Sequence, residues 1–528
     1  MNETNLLKAV FSSDAEIGGP IFGIVGRFLF VKPWEFIKAV FFGGVTETAV
    51  MAKAVISLIW FSFLGLSSVV SIVKNGFEGL AVLGFFGLIF YALFFFGRGK
   101  STDDQLKRGT QVLAPPNSKN KPGTELKIGN VSIPIDVEPL HFLVAGGTGT
   151  GKSQAINSFL KTLRDRGDKV LVVDSGGEAM ARLFREGDTL LNPLDARTAK
   201  WSPFSELQST FDCDRLAQSM IPAEDGGKDR QWQLYSQGLV TAVLQRLFEA
   251  GGSDATNERF SHMLTVAPAA EIQLMVQGLP ASTLFSGMTG GKGEGGMLAS
   301  VKGIIGAYLP AYRHLSPSTG AEGFSIRKWV QTEEPGWLWL PYRDDQLSSI
   351  KPLIACWIGE AVNATLSLRP SGERRLWIIT DELASLGMIA SLSDGLTKGR
   401  KYGLRVVAGL QSVSQLRQIY GQNGAQTLLS CLSTLLCLRA ADSDTAEYFS
   451  KAFGDQEILR TDTSENSQGG STSSVKHVTQ KAILASEVSG LAQRVGFVRV
   501  ANQPDRVFAT TIPICDLGAE IIEPYQSK

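Results

Sequence analysis

The residues with the clearest capacity for chemistry begin at Gly146. The run Gly146-Gly147-Thr148-Gly149-Thr150-Gly151-Lys152-Ser153 follows a short apolar segment, His141-Phe-Leu-Val-Ala145, and leads into Gln154 to Leu163 at helical spacing. A glycine-rich turn between a strand and a helix lets backbone N–H groups curl round a phosphate, and the helix N-terminus adds partial positive charge. Lys152 is then placed to reach β and γ oxygens, and Ser153 to ligate Mg²⁺. Gly146, Gly147, Thr148, Gly149, Thr150, Gly151, Lys152 and Ser153 are therefore the candidate phosphate-binding residues.

A second motif, Arg375-Leu-Trp-Ile-Ile-Thr-Asp381-Glu382, delivers a carboxylate pair at the end of an apolar strand. Ligands of α/β sheets bind at such strand ends. Asp381 is placed to hold Mg²⁺ through water, and Glu382 to polarise the water that attacks a γ-phosphate. Switch GTPases usually lack the second acid, so a hydrolysing motor fits better. A further strand, Leu404 to Leu410, ends at Gln411, whose amide is positioned to sense the γ-phosphate. Ahead of it, Thr397-Lys-Gly-Arg400-Lys401 gathers three cations. One reading is a solvated helix end, where Lys suits the negative pole. The other makes Arg400 a finger reaching the nucleotide of a neighbouring subunit, since a planar guanidinium suits developing phosphate charge.

The elements that must position these groups are apolar strands alternating with helices, which predicts an α/β fold. More than two hundred residues separate Lys152 from Asp381. After a strand at Lys169 to Asp174, helical spacing dominates: Gln231 to Ala250 carries Leu234, Leu239, Val243 and Leu247, and further helices are expected over Glu271 to Gln277 and Met297 to Tyr308. Strand character returns at Gly336 to Tyr342. The spacing predicts an all-α domain over 206–316, inserted between two parts of a nucleotide-binding domain at 101–205 and 317–528. The polar segment from Ser101 to Lys121, near Pro115, Pro116 and Pro122, reads as a linker, and Thr461 to Ser474, rich in Ser and Thr, as a mobile surface loop.

With 528 residues, 44% of them apolar, the chain has ample material for two or three folded units. Lys plus Arg and Asp plus Glu both number 51, so whole-chain basicity does not argue for a polyanion partner. Five scattered cysteines without a C-x-x-C pair indicate neither a disulfide framework nor a zinc site. The uncharged stretches Ala54 to Val73 and Gly79 to Gly97 are each long enough to span a bilayer, and five residues join them. They predict an antiparallel transmembrane hairpin within an anchor at 1–100. Arg27, Lys32, Lys38 and Lys53 precede it and Arg98, Lys100, Lys107 and Arg108 follow it, which puts both flanks in the cytoplasm.

Together these features resemble the conjugative coupling proteins of the TraD/TrwB type. The resemblance rests on Leu191-Asn-Pro-Leu-Asp-Ala-Arg197, Phe324-Ser-Ile-Arg-Lys-Trp329, Asp381-Glu-Leu-Ala-Ser-Leu386 and Leu396-Thr-Lys-Gly-Arg-Lys401 running into Val406-Val-Ala-Gly-Leu-Gln-Ser412. It implies a RecA-like P-loop NTPase domain carrying an all-α domain, assembled as a homo-hexamer under the bacterial inner membrane. It also implies ATP and Mg²⁺ as ligands, single-stranded DNA with its relaxase as cargo, and a type IV secretion channel as partner. Under the resemblance Lys152, Ser153, Asp381 and Glu382 form the nucleotide site, Gln411 is a sensor and Arg400 a finger acting in trans. Some members carry a long acidic extension beyond this point, so cargo is expected to use another surface here. Two other readings stay open: an FtsK-like DNA translocase, and a scaffold that nucleotide merely stabilises.

Overall fold

A computed structural model describes residues 105–115, 125–223, 229–285, 296–317, 323–465 and 471–528. The expected anchor at 1–100, with its two apolar spans, lies outside the described residues. Among the described residues no helix is long and apolar enough to cross a membrane.

The strands in chain order are β1 (Gln105–Gly109), β2 (Gln111–Leu113), β3 (Leu126–Ile128), β4 (Val131–Ile133), β5 (Phe142–Ala145), β6 (Lys169–Ser175), β7 (Thr189–Leu190), β8 (Leu338–Tyr342), β9 (Leu376–Thr380), β10 (Leu404–Leu410), β11 (Thr434–Cys437), β12 (Asp455–Glu465), β13 (Ser471–Lys481), β14 (Val495–Arg499) and β15 (Arg506–Thr511). Ten of them form one mixed sheet in the order β2-β15-β14-β11-β5-β10-β9-β6-β8-β7. Its centre, from β11 across to β7, is parallel, and antiparallel pairing enters at β14.

The central strands are largely apolar because both faces are covered. Phe142 and Val144 of β5 point to one face, where they meet Phe159, Leu160 and Leu163 of helix α1 (Lys152–Arg166). Leu143 and Ala145 point to the other, which packs on helices α4 (Asp344–Leu366) and α6 (Val413–Cys431). The spacing of Ala155, Ile156, Phe159, Leu160 and Leu163 gives α1 its buried stripe. Gly167, at φ 75°, ends the helix with its N–H on the Arg164 and Leu163 carbonyls.

Between β7 and β8 the described elements are helical, among them α2 (Phe211–Met220), α3 (Arg230–Ala250), residues Asn257–Thr265 and Gly296–Tyr308. Leu239, Val243 and Leu247 are buried along α3 as their spacing predicts. Leu234 is not: it is 47% exposed, because it stands five residues before Leu239 and off the i, i+3, i+4 stripe that Gln233, Ser236, Leu239 and Val240 bury. Helix α5 (Leu392–Lys398) lies between α4 and β10 in sequence.

Two stretches read as irregular contain strand. Within the expected linker, β1 pairs with β12 and β2 pairs with β15, so backbone pairing fixes what polar composition left open. Within the expected loop, residues 461–465 and 471–474 continue an antiparallel hairpin of β12 with β13. Threonine favours strands, and ladder hydrogen bonds there do not need an apolar face.

Candidate active site

β5 sits between β10 and β11, and β10 sits between β5 and β9. All run the same way, so the phosphate loop after Ala145, Gln411 after Leu410 and the Asp381–Glu382 pair after Thr380 emerge side by side at one edge of the sheet. Residues separated by more than two hundred positions meet because strand order differs from chain order. The loop is pinned at its base: Gly146 N–H donates to Leu410 O at 3.0 Å and Gly147 N–H to Arg439 O at 3.0 Å. The Thr150 hydroxyl donates to Gly147 O at 2.7 Å and tightens the turn. Gly151 caps α1 at φ 106°, where a Cβ would also press on Arg494. Gly409 is required for a different reason, since a Cβ there would collide with the Asp381 carbonyl.

Lys152 Nζ donates to Glu382 Oε2 at 2.8 Å and lies 4.0 Å from Asp381 Oδ1. Glu382 Oε1 accepts from Gln411 N–H at 3.3 Å, and Thr148 Oγ1 lies 3.5 Å from Gln411 Oε1. Ser153 Oγ donates to Asp381 Oδ2 at 3.0 Å. The other carboxylate oxygen, Asp381 Oδ1, is buried and makes no hydrogen bond. A hydroxyl beside a carboxylate with one uncommitted oxygen is a donor set that suits a small hard cation such as Mg²⁺. These groups line a cavity of about 770 Å³.

Arg400 is not among them. It is exposed in the turn Gly399–Tyr402, before the first residue of β10, whereas Gln411 follows the last. Seven strand residues at roughly 3.3 Å each put it at the opposite edge of the sheet. There it lines a second cavity of about 710 Å³ with Lys398, Lys401 and Arg405. Arg405 is held from below, its Nε on Glu138 Oε2 at 3.2 Å.

The first cavity also holds residues that motif reading passes over: Ser175 and Tyr342 at the ends of β6 and β8, Asp344, Gln493, Arg494 and Ile514. Gln493 Nε2 donates to Gly149 O at 3.0 Å and Arg494 N–H to Thr150 O at 2.9 Å, so the loop before β14 braces the phosphate loop. Arg494 adopts φ 62°, a left-handed conformation uncommon outside glycine. Behind the site, Asp174 is buried and accepts from Met180 N–H at 2.7 Å. Burial raises its carboxyl to about 7, with the Met180 bond opposing and the Asp381 charge adding. Nothing in local composition marks these residues; only sheet order, which brings the ends of β6, β8 and β15 and the start of β14 to one edge, does.

A family model described as type IV secretion-system coupling protein DNA-binding domain matches residues 125–510. Coupling protein TraD of Escherichia coli K12 is 27% identical over 373 residues, covering 68% of this chain and 51% of that protein. Protein VirD4 of Agrobacterium fabrum is 23% identical over 349 residues, covering 60% and 50%. The chain thus spans about half the length of these curated relatives. Among solved structures, unbound conjugative coupling protein TrwB superposes with a TM-score of 0.73 at 31% identity, over 80% of this chain and 97% of that one. TrwB in complex with ADP and Mg²⁺, and with a non-hydrolysable ATP analogue, each give 0.72 at 30% identity, over 81% and 99%. The RecA-like α/β fold follows from this likeness and the parallel sheet, and the chain belongs to the type IV secretion-system coupling proteins.

Proposed function

We propose that the chain is a membrane-anchored, DNA-stimulated ATPase that brings relaxase-bound single-stranded DNA to a type IV secretion channel. The observation that carries this reading is the convergence of Lys152, Ser153, Asp381, Glu382 and Gln411 on one cavity at the carboxyl edge of the sheet. Family membership supports it, as do the nucleotide complexes of TrwB.

The loop amides and Lys152 would hold the β- and γ-phosphates of ATP, and Ser153 with Asp381 would hold Mg²⁺. When bound, Mg²⁺ would supply positive charge against the charge developing on the transferred phosphate. Glu382 accepts the proton of the attacking water, and Gln411, whose backbone N–H already donates to Glu382, orients that water through its side-chain amide. Lys152 must leave Glu382 to do this, so the pair seen here belongs to a resting arrangement. Arg400, too remote to act within its own chain, supplies charge to a neighbour's site in a ring. That head-to-tail geometry closes into a homo-hexamer when the rotation permits.

Division into an anchor at 1–100, a RecA-like domain at 101–205 and 317–528 and an all-α domain at 206–316 completes the proposal. The apolar stretches and flanking cations support an inner-membrane location with the body in the cytoplasm. The test is ATP hydrolysis by the chain in a nanodisc, with and without single-stranded DNA, at rising protein concentration and beside Lys152→Ala. A rate that rises with DNA and steeply with protein, and vanishes in the variant, is expected. A DNA-indifferent, concentration-independent rate would sink the motor and favour a nucleotide-stabilised scaffold.

A further inference from the structure

After β15 the chain follows a path that none of the motifs accounts for. Residues 512–528 lack regular secondary structure, yet they are tied down at successive points. Ile512 N–H donates to Arg494 O at 2.7 Å, and Cys515 N–H to Gln154 Oε1 at 2.8 Å on the first turn of α1. Ile521 N–H then donates to Ala181 O at 2.7 Å. Gly177, at φ 71°, accepts the passage of this segment, since a Cβ there would lie 2.6 Å from Pro524 O. Gln526 N–H reaches Asp195 Oδ2 at 3.1 Å, and the Tyr525 hydroxyl donates to Leu194 O at 2.6 Å while accepting from Gln346 Nε2 at 2.8 Å. Lys528 Nζ lies 3.3 Å from His314 O and from Ser316 Oγ, at the end of the helical segment.

One side chain in this path points the other way. Ile514 is 72% exposed although it lines the same cavity as Lys152 and Gln154. In a phosphate loop the Lys reaches the β and γ oxygens, while amides at the start of the helix cradle the α and β phosphates. Ribose and base therefore leave on the helix side of Lys152, where Gln154 holds the backbone of Cys515 beside Ile514.

We infer that residues 512–528 form a strap that presents Ile514 to the nucleobase and fastens that side of the pocket to the foot of the helical segment. The inference rests on the nucleotide reading above. An apolar face covers the base without reading its edge, so it favours purine nucleotides in general and does not separate adenine from guanine. Filling the pocket covers Ile514 and tightens the strap, whose far end is bonded to Asp195, His314 and Ser316.

The experiment uses the whole chain with non-hydrolysable ATP and GTP analogues and Mg²⁺. Ile514→Ala removes exposed apolar surface and leaves the fold intact; it should weaken both analogues about fivefold to tenfold with their ratio unchanged. Hydrogen exchange at the amides of Ile521, Ile522 and Gln526 should slow when analogue binds, and this protection should diminish in Ile514→Ala at saturating analogue. Tyr525→Phe, which contacts no part of the pocket, should also weaken binding, by about threefold. Analogue binding that is unchanged in both variants, or protection confined to the phosphate loop, would overturn the strap and leave the nucleotide site standing. Failure of the unaltered chain to bind either analogue would overturn both.

Discussion

Lys152 Nζ donates to Glu382 Oε2 at 2.8 Å, which ties the residue proposed to hold the γ-phosphate to the one proposed to activate water. On that proposal each occupies the other until nucleotide arrives. Glu382→Gln frees Lys152 of this competitor and keeps the side chain's size. Nucleotide affinity should hold or rise, while hydrolysis falls on the order of 10²- to 10⁴-fold, the usual worth of a general base. Parallel binding and phosphate-release assays check this, and loss of binding in the variant would contradict the assigned role.

Arg400 and Glu382 lie at opposite edges of the sheet, so a finger acting in trans predicts complementation. Arg400→Ala alone should bind nucleotide normally and hydrolyse it at least about 10³-fold more slowly. Mixed with equally inactive Glu382→Gln, it should recover part of the rate, because some interfaces then join an intact Glu382 to an intact Arg400. No recovery at any mixing ratio would mean that the cations around Arg400 serve another purpose.

Gly409 is where β10 passes closest to the carboxylate pair, and a Cβ there collides with the Asp381 carbonyl. Gly409→Ala should push Asp381 and Glu382 out of register with Ser153 and Lys152. We expect a destabilisation of about 1–3 kcal/mol, typical of overpacking, with a loss of hydrolysis larger than that cost explains. Denaturant unfolding and phosphate release on the same preparation separate the two, and wild-type turnover in a destabilised variant would show that the pair tolerates displacement.

Much of the site was legible because its chemistry is concentrated in short runs. The glycines from Gly146 to Gly151, the Lys152–Ser153 pair and the strand ending at Asp381 each state a local geometry. Sheet order then brings them together, and it cannot be read locally. Gln493, Arg494 and Ile514 were missed for that reason: they approach the phosphate loop from segments more than three hundred residues downstream, Gln493 through its side-chain amide on Gly149 O, Arg494 through a backbone N–H on Thr150 O and Ile514 by lining the same cavity. The hairpin of β12 and β13 was misread for the converse reason. Its Ser and Thr residues carry no apolar alternation, and only the ladder between the strands reveals them. Arg400 was legible as a cation in a turn, but its distance from the loop of its own chain needed the direction of β10.

Asp174 is buried behind the site, next to Ser175 at the end of β6, and its carboxyl is raised from an ordinary 3.8 to about 7, burial being the first cause. Between those values the folded chain keeps a proton that the unfolded chain has released. The folded state therefore binds more protons, and its stability falls as pH rises through this window, by at most about 1.4 kcal/mol per unit. The contribution is fully present below the unfolded value and is lost once pH passes the folded one. Asp174→Asn keeps an oxygen to accept the Met180 amide and removes the titration. Without Mg²⁺ or nucleotide, its stability relative to the unaltered chain should climb between pH about 4 and about 7 and then level off. Urea unfolding at a series of pH values measures the difference, and a gap that stays flat across that range would mean that Asp174 is ionised in the folded chain throughout.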